Sequence, residues 1–347
     1  MTCVRLRIVA GVAGRLTDVA EKVGVSEATV SRVLNGRPGV SEATRAAVLT
    51  ALDVLGYERP VKLRGERARL VGLVLPELQN PIFPAFADAV GGSLAQEGLT
   101  PVLCTHTAGI SEADYIELLF EQRVSGVLFA GGNYSGLEGA HAHYQGLVDR
   151  KLPTVLINAG VGGLPFPRVS CDDGVAADQA IRHLVSLGHT RLGLILGPAD
   201  HVPSLRRLDA ARVTIADAGL TLDDDQVERT RHSLEGGQAA AARLLGRGVT
   251  GVVCASDPMA LGAIRAAKRA GLSVPGDLSV VGYDDSAFMS CTEPPLTTVR
   301  QPIEAMGRAA VDLLSEQIAG NPVGPDELLF EPELVVRGST GPVRPGA

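Results

Sequence analysis

The residues suited to chemistry fall into two groups. The first lies between residues 17 and 57. Thr17, Ser26, Thr29, Ser31 and Thr44 carry short hydroxyls suited to phosphate oxygens. Glu27, Ala28, Arg32 and Asn35 share one short helix starting after Ser26. The first turns of such a helix meet base edges when it enters a major groove. Arg32 then suits guanine, Ala28 a thymine methyl and Glu27 the amino group of cytosine. The second group is dispersed. Asn158, Asp257, Asp284 and Gln301 end or follow short apolar runs, and Arg206 and Arg207 begin a helix after another. Polar side chains of this kind, with an aromatic plate such as Phe83, suit the hydroxyls and C–H face of a sugar. Structural readings stand beside these. Asp257-Pro258 suits a helix start, Asp284-Asp285 a turn and Asn158 a strand end.

Helical spacing must position the first group. Thr17 is expected to cap a helix with Val19, Ala20 and Val23 on its inner side, and Gly24 breaks it. Ser26 caps a second helix with Val30, Val33 and Leu34 inward, which Asn35-Gly36 ends. Ser41 caps a third, with Ala47, Val48, Ala51, Leu52 and Leu55 as its apolar stripe, and Tyr57 closes the segment. Two helices joined at Gly24-Val25 predict a helix-turn-helix. The alternative is a three-helix cluster whose polar face is merely wet.

From Leu70 onward short apolar runs alternate with helical stretches: LVGLVLP, PVLCTH, SGVLFAG and PTVLINAG, then RLGLILG, DQVERT, GVVCAS and LSVVGYD. This predicts an α/β core of two doubly wound parallel-sheet lobes behind an all-α helix-turn-helix domain. The expected domains are a flexible leader 1–14, the DNA-binding head 15–58, a linker 59–69, the core 70–338 and a flexible tail 339–347. The N-lobe takes about 70–160 plus 300–320, the C-lobe about 161–299 plus 321–338. LLFEPELVVRGS is expected as a closing strand pair. Ligands in such sheets bind at the carboxyl ends of the strands, here between the lobes.

The head carries LTDVAEKVGVSEATVSRVLNG, which resembles the lactose/galactose-repressor (LacI/GalR) family, with Val23 where that family usually has alanine. The core phrases VGLVLPELQNPIF, HLVSLGHTRLGLILGP, ASDPMALGAIRA, DLSVVGYDDS and PPLTTVRQP extend the resemblance over about residues 15 to 340. The wording YERP…LR…NPIFPAF resembles the maltose-type regulators of high-GC Gram-positive bacteria. The resemblance implies a cytoplasmic, homodimeric repressor of a palindromic DNA operator, with a core like periplasmic sugar-binding proteins and a small sugar as effector. By position it implies Asn158 and Asp284 as hydroxyl contacts, Arg207 or its neighbour Arg206 for a hydroxyl pair or an anion, and Gln301 at the rim. Tryptophan is absent, so Phe83, Tyr134, Phe166 or Phe288 must form the plate. The basic linker departs from the family pattern by lacking Pro-Asn after Tyr57 and about three residues. Leu63 is the expected minor-groove wedge; a flexible basic tether is the alternative.

Charge supports this division. The net charge is −7, yet residues 1–70 hold 12 basic against 7 acidic residues, a local surplus of +5 on an acidic body. That is a footprint for phosphate contact at one end only. Five widely spaced cysteines without a CxxC suggest neither disulfides nor zinc, and no cofactor or metal is expected. Cys104, Cys171 and Cys254 sit in or beside apolar runs as buried thiols. The stretch MTCVRLRIVAGVAG is too short an apolar run for an export signal or membrane span. No P-loop, GxSxG or HExxH is present, and His183 and His189 flank a helix end as structural residues. Competing readings are a corepressor-dependent regulator responding to a nucleobase or phosphoprotein, a solute-binding protein, and an enzyme on the same lobes.

Overall fold

The computed structural model describes residues 13–34, 39–54, 69–105, 109–132, 135–136, 141–158 and 163–344. The chain forms two compact units, Met1–Arg69 and Leu70–Ala347.

The first unit holds helices α1 (Ala13–Val23), α2 (Glu27–Leu34) and α3 (Glu42–Val54). Val19, Ala20, Val30, Val33, Val48 and Ala51 form its core, with Val23 and Leu49 packed at the edge. Gly24 takes φ 72° in the turn after α1, a conformation open to glycine at little cost. Two expectations change. Thr17 lies inside α1, which begins four residues earlier, because Ala13, Arg15 and Leu16 favour helix. Ala47 is exposed, so α3 faces the core through Val48 and Ala51. The expectations for Asn35, Leu34, Leu52, Leu55, Tyr57, Leu63 and Tyr134 fall outside what is described.

In the second unit the chain builds β1 (Arg69–Leu75), α4 (Ile82–Gln96), β2 (Leu99–Thr105), α5 (Glu112–Glu121), β3 (Gly126–Ala130), α6 (Ala142–Asp149), β4 (Thr154–Ile157) and β5 (Arg168–Cys171). It then builds α7 (Asp173–Ser186), β6 (Leu192–Leu196), α8 (Val202–Asp217), β7 (Val227–Arg229), α9 (Leu234–Leu245), β8 (Gly251–Cys254), α10 (Asp257–Arg269), β9 (Ser279–Asp284) and β10 (Thr297–Arg300). Helix α11 (Ile303–Ala319) and strands β11 (Glu327–Phe330) and β12 (Glu333–Val335) follow.

Two six-stranded sheets result, ordered β2–β1–β3–β4–β5–β11 and β7–β6–β8–β9–β10–β12. Strand β1 pairs parallel with β3, Val71 opposite Gly126, and β6 with β8, Leu192 opposite Gly251. Strands β3, β4, β6 and β9 are buried along nearly their whole length. That explains their unbroken apolar texture: helices cover both faces of a parallel sheet.

The lobe boundaries differ from those expected. Strand β5 belongs to the first sheet, so the N-lobe runs to about 171 and not 160. RVSC, four residues of mixed polarity, carries no strand signal in the sequence. The closing pair splits: β11 adds parallel to β5, whereas β12 adds antiparallel to β10 in the other sheet. The chain therefore crosses between lobes near 172, 301 and 331. Nor is the stretch after 338 a free tail as far as it is described. Ser339 is buried, donating from Oγ to the Val280 carbonyl at 2.6 Å and accepting from the Thr297 amide at 2.8 Å. His189 and His183 face this stretch, at the Gly341 carbonyl (3.1 Å) and Thr340 (2.9 Å). Each sits in a structural role.

Helices α9 and α10 approach through glycines. A Cβ on Gly237 would lie 2.2 Å from the Met259 carbonyl oxygen, and one on Gly262 2.1 Å from that of Leu234. Gly262→Ala is expected to cost roughly 1–3 kcal/mol by forcing the helices apart. Gly146→Ala, inside α6 with nothing within 4 Å of the new carbon, is expected to stabilise by about 0.5–1 kcal/mol. Urea unfolding of both variants checks the pair.

Candidate functional site

The helical unit presents one polar face. Ser26 caps α2, its Oγ accepting the Thr29 amide at 3.2 Å, and Ser41 caps α3 through the Thr44 amide at 3.1 Å. Each cap hydroxyl also meets the threonine hydroxyl three residues on, at 2.9 and 2.8 Å. Glu27, Ala28 and Arg32 are exposed, and Thr29 and Ser31 half-buried, with Val30 and Val33 turned inward. Thr17 donates to Glu27 Oε1 at 2.7 Å. That bond ties α1 to the start of α2 and orients the carboxylate.

The second unit holds a cavity of about 340 Å³ between the lobes. Its walls come from the carboxyl ends of the strands: Pro76 and Asn80 after β1, Gly131 after β3, Asn158 after β4, Ala255 and Ser256 after β8, and Asp284 at the end of β9. Both sheets reverse their winding order there, between β1 and β3 and between β6 and β8. Such switch points leave a crevice at the strand ends.

Of the expected contacts, Phe83, Asn158, Arg207, Asp284 and Gln301 line this cavity. They are linked. Asn158 donates Nδ2–H to Gln301 Oε1 at 2.9 Å, and Gln301 donates Nε2–H to Asp284 Oδ1 at 2.7 Å. The Cys171 amide donates to Asn158 Oδ1 at 3.1 Å. This chain of bonds runs from the N-lobe through the crossover at 301 to the C-lobe. Burial, then the neighbouring Asp257 carboxylate, push Asp284 well above the ordinary carboxylate range; Gln301, Arg207 and Asn80 oppose this. Arg207 Nε donates to Asp173 Oδ1 at 2.7 Å and Nη1 to the Ala255 carbonyl at 3.0 Å, with the guanidinium 3.6 Å from the Tyr283 ring centre. Burial still raises Asp173 despite this partner.

Three expectations are corrected. Arg206 turns away from the cavity to Glu327 on β11, with bonds of 2.8 and 3.0 Å, because side chains of successive helical residues diverge by about 100°. Asp257 is fully buried beneath the cavity lining. It accepts from Thr298 Oγ1 at 2.6 Å and the Ser286 amide at 2.7 Å, and burial pushes it up to about 6. As for the aromatic plate, Phe166 is in the second N-lobe core and Phe288 is 78% exposed. Neither lines the cavity, whereas Phe83 does, beside Phe86.

Sequence reasoning missed His201, His232, Tyr283, Asn80 and Ser135, all cavity-lining. Histidines in the loops after β6 and β7 carry no periodic signal. His201 and His232 meet edge to face with centroids 5.0 Å apart. Burial, then the nearby Arg207 charge, lower His232 to about 4; burial, then His232, hold His201 well below its usual range. Among the thiols, Cys104, Cys171 and Cys254 are buried. Burial pushes Cys171 up to about 12, which keeps it unreactive. Among the described residues no group of three or more His, Cys, Asp or Glu is arranged for a metal ion, and no helix is long and apolar enough to cross a membrane.

Comparison with known proteins agrees on both units. Residues 15–59 match the model of bacterial regulatory proteins of the lacI family, and residues 181–340 a periplasmic binding protein-like domain. The chain is 52% identical over 331 residues to the transcriptional regulator MalR of Streptomyces coelicolor, covering 94% of this chain and 96% of the relative. A CelR–cellobiose complex superposes with TM-score 0.72 at 36% identity, covering 93% of this chain and 99% of the other. The lac repressor dimer bound to operator and the anti-inducer ONPF gives 0.75 at 29% identity, covering 94% and 98%.

The depressed His232 has a measurable consequence. The unfolded imidazole titrates near 6.5 and the folded one near 4. Its contribution is therefore present above pH 6.5 and lost as pH falls toward 4. Relative to His232→Gln, the native core is expected to lose roughly 2–3 kcal/mol more stability between pH 7 and 4.5. Denaturant titrations of both proteins at the two pH values measure the difference.

Proposed function

The chain belongs to the lacI family of bacterial regulatory proteins, and on that premise we propose that it is a homodimeric repressor whose hold on a palindromic operator is set by a small sugar in the inter-lobe cleft. It works in the cytoplasm, as a regulator and not as an enzyme. The observation that carries the effector reading is the mixed lining of the cleft. Phe83, Phe86, Ile82 and Pro76 give it apolar surface on the N-lobe side, next to Asn80 and Asn158, and Arg207, His201, His232 and Asp284 give it polar groups on the C-lobe side. A sugar ring has a matching C–H face and hydroxyl edges. Asp284, Gln301 and Asn158 take hydroxyls, Arg207 a further pair, and Phe83 the ring face. Arg207 is already paired with Asp173, which favours an uncharged ligand over a phosphorylated one.

At the operator, α2 lies in the major groove. Arg32 reads a guanine, Ala28 and Glu27 touch neighbouring bases, and Thr17, Ser26, Thr29, Ser31 and Thr44 hold phosphates. Asn35 and Tyr57 are proposed as further DNA contacts, and Leu63 as the minor-groove wedge. Two copies are required because half-sites one DNA turn apart need two recognition helices. Ligand acts through its differential affinity for two arrangements of the lobes. The Asn158–Gln301–Asp284 bonds are what distinguishes those arrangements.

A thermal-shift panel of maltose, cellobiose, glucose and nucleobases tests the effector reading, since a bound effector raises apparent stability by RT ln(1+[L]/Kd). Stabilisation by a sugar is expected; stabilisation by a nucleobase alone would overturn it. Two variants separate the units. Arg32→Ala is expected to lose about 1–3 kcal/mol of operator discrimination while binding sugar normally. Asp284→Ala is expected to retard operator DNA as native protein does, without response to the sugar. Gel retardation with and without the sugar reads both.

A further inference from the structure

Arg206 and Glu327 join the two lobes outside the cavity lining. Arg206 stands on α8 of the C-lobe, and Glu327 opens β11, the edge strand of the N-lobe sheet. Arg206 donates Nη1–H to Oε1 at 2.8 Å and Nη2–H to Oε2 at 3.0 Å. Such a fork fixes orientation as well as distance. The side chains are 33% and 16% exposed. The pair is therefore shielded from much of the solvent screening that weakens surface pairs.

Glu327 has a second cation within its own lobe. Arg168 on β5 lies directly opposite it in the parallel register. Residues opposite one another on paired strands share a face of the sheet. Arg168 Nε is buried and makes no hydrogen bond to a described residue. Burial would raise the Glu327 carboxyl, but Arg206, with help from the charge of Arg168, holds it below the ordinary carboxylate range. Arg206 has neighbours of its own, since the charges of Asp173 and Asp172 at the start of α7 also act on it. Breaking a buried pair is costly chiefly because a charge is left without a partner. Here each member has an opposite charge to turn to.

The pair is tied to the cleft through α8. Arg207, the next residue, lines the cavity. Asn158, Gln301 and Asp284 are bonded to one another in the same lobe arrangement that joins Arg206 to Glu327. A ligand that takes atoms from the first set works against the second.

Resting on the sugar-effector reading, we propose that Glu327 is a partner-exchanging carboxylate that sets the balance between two lobe arrangements. In the arrangement described here it pairs with Arg206 across the lobes. In the one a sugar favours it pairs with Arg168 inside its own sheet. Exchange keeps one ion pair in each arrangement, so the difference between them stays within what a small ligand's differential affinity can reverse. Arg206 and Arg168 thus act on the response from opposite sides, and neither touches the sugar.

Three variants test this. Arg206→Gln removes the pair of one arrangement, Arg168→Gln that of the other, and Glu327→Gln both. Isothermal titration of the full chain with maltose is expected to show three- to tenfold tighter binding in Arg206→Gln and three- to tenfold weaker binding in Arg168→Gln. Glu327→Gln is expected to fall between them. Gel retardation of operator DNA without sugar is expected to place the two arginine variants on opposite sides of native protein, Arg206→Gln on the side to which maltose moves it. A residue that only holds the fold together would shift both readings in one direction. Shifts of the same sign in the two arginine variants, or native behaviour in both, would overturn the exchange while leaving the sugar reading intact. Failure of native protein to bind maltose, cellobiose or glucose would overturn the sugar reading. Retardation without sugar would then still decide the exchange, opposite shifts upholding it and shifts of one sign overturning it. NMR of native protein labelled with 15N-arginine needs no variant: the Nε–Hε resonances of Arg168 and Arg206 are both expected to move on saturation with maltose. An unmoved Arg168 resonance in the maltose-bound protein would also overturn the exchange.

Discussion

Gln301 is a primary amide buried where the chain passes from one lobe to the other, and it cannot satisfy itself within either. Its NH2 goes to Asp284 in the C-lobe and its carbonyl oxygen receives Asn158 in the N-lobe. Asn158 is held in turn by the Cys171 amide at the end of β5. Leaving any of these groups buried and unbonded costs about 1–3 kcal/mol. The lobes therefore cannot slide continuously. They must keep this set of bonds or exchange it for another, and packing of that kind is what lets a small ligand shift a large structure. Under the sugar-effector proposal, hydroxyls in the cleft compete for the same atoms.

The charged groups around the cleft obey a related constraint. Arg207 is tolerated in the wall because Asp173, the Ala255 carbonyl and the Tyr283 ring surround it. A buried pair of this kind contributes little net stability, whereas removing one member is costly. The cation in turn discourages protonation of the histidines and offsets part of the burial of Asp284. The wall is thus rich in hydrogen-bonding groups but near neutral. Asp285 takes no part in the cleft: Arg300 and Arg337 hold it at 2.8 and 2.6 Å. Those pairs anchor a turn in which Asp284 and Asp285 both adopt positive φ, 116° and 53°. Strain of this kind persists where surrounding contacts over-determine it. Its effect is to turn Asp284 inward while its neighbour faces the ion pairs. Gly131 and Gly197 serve the cavity in another way, by lacking a side chain where Phe83 and His232 must stand.

Much was legible in the amino-acid order. Ser26 and Ser41 announce their helices because capping is a local bond between residues three apart. Val30 and Val33 announce the buried side of α2 because helical period is local too. Apolar runs such as GVLFA and LGLIL announce buried parallel strands for the same reason, and the placing of Asn158, Asp284 and Gln301 follows from ligands gathering at strand ends. Only tertiary structure could decide the rest, since it depends on which residues distant in sequence share a space. RVSC becomes β5, and the expected closing strand pair divides between two sheets, because sheet edges recruit strands by geometry and not by pattern. Arg206 and Arg207 are chemically alike, and only the setting of α8 sends one to Glu327 and the other into the cleft. His201, Ser204 and His232 meet at the end of β6 because the backbone of Gly197 leaves room for a ring, a fact written in no single stretch of the chain.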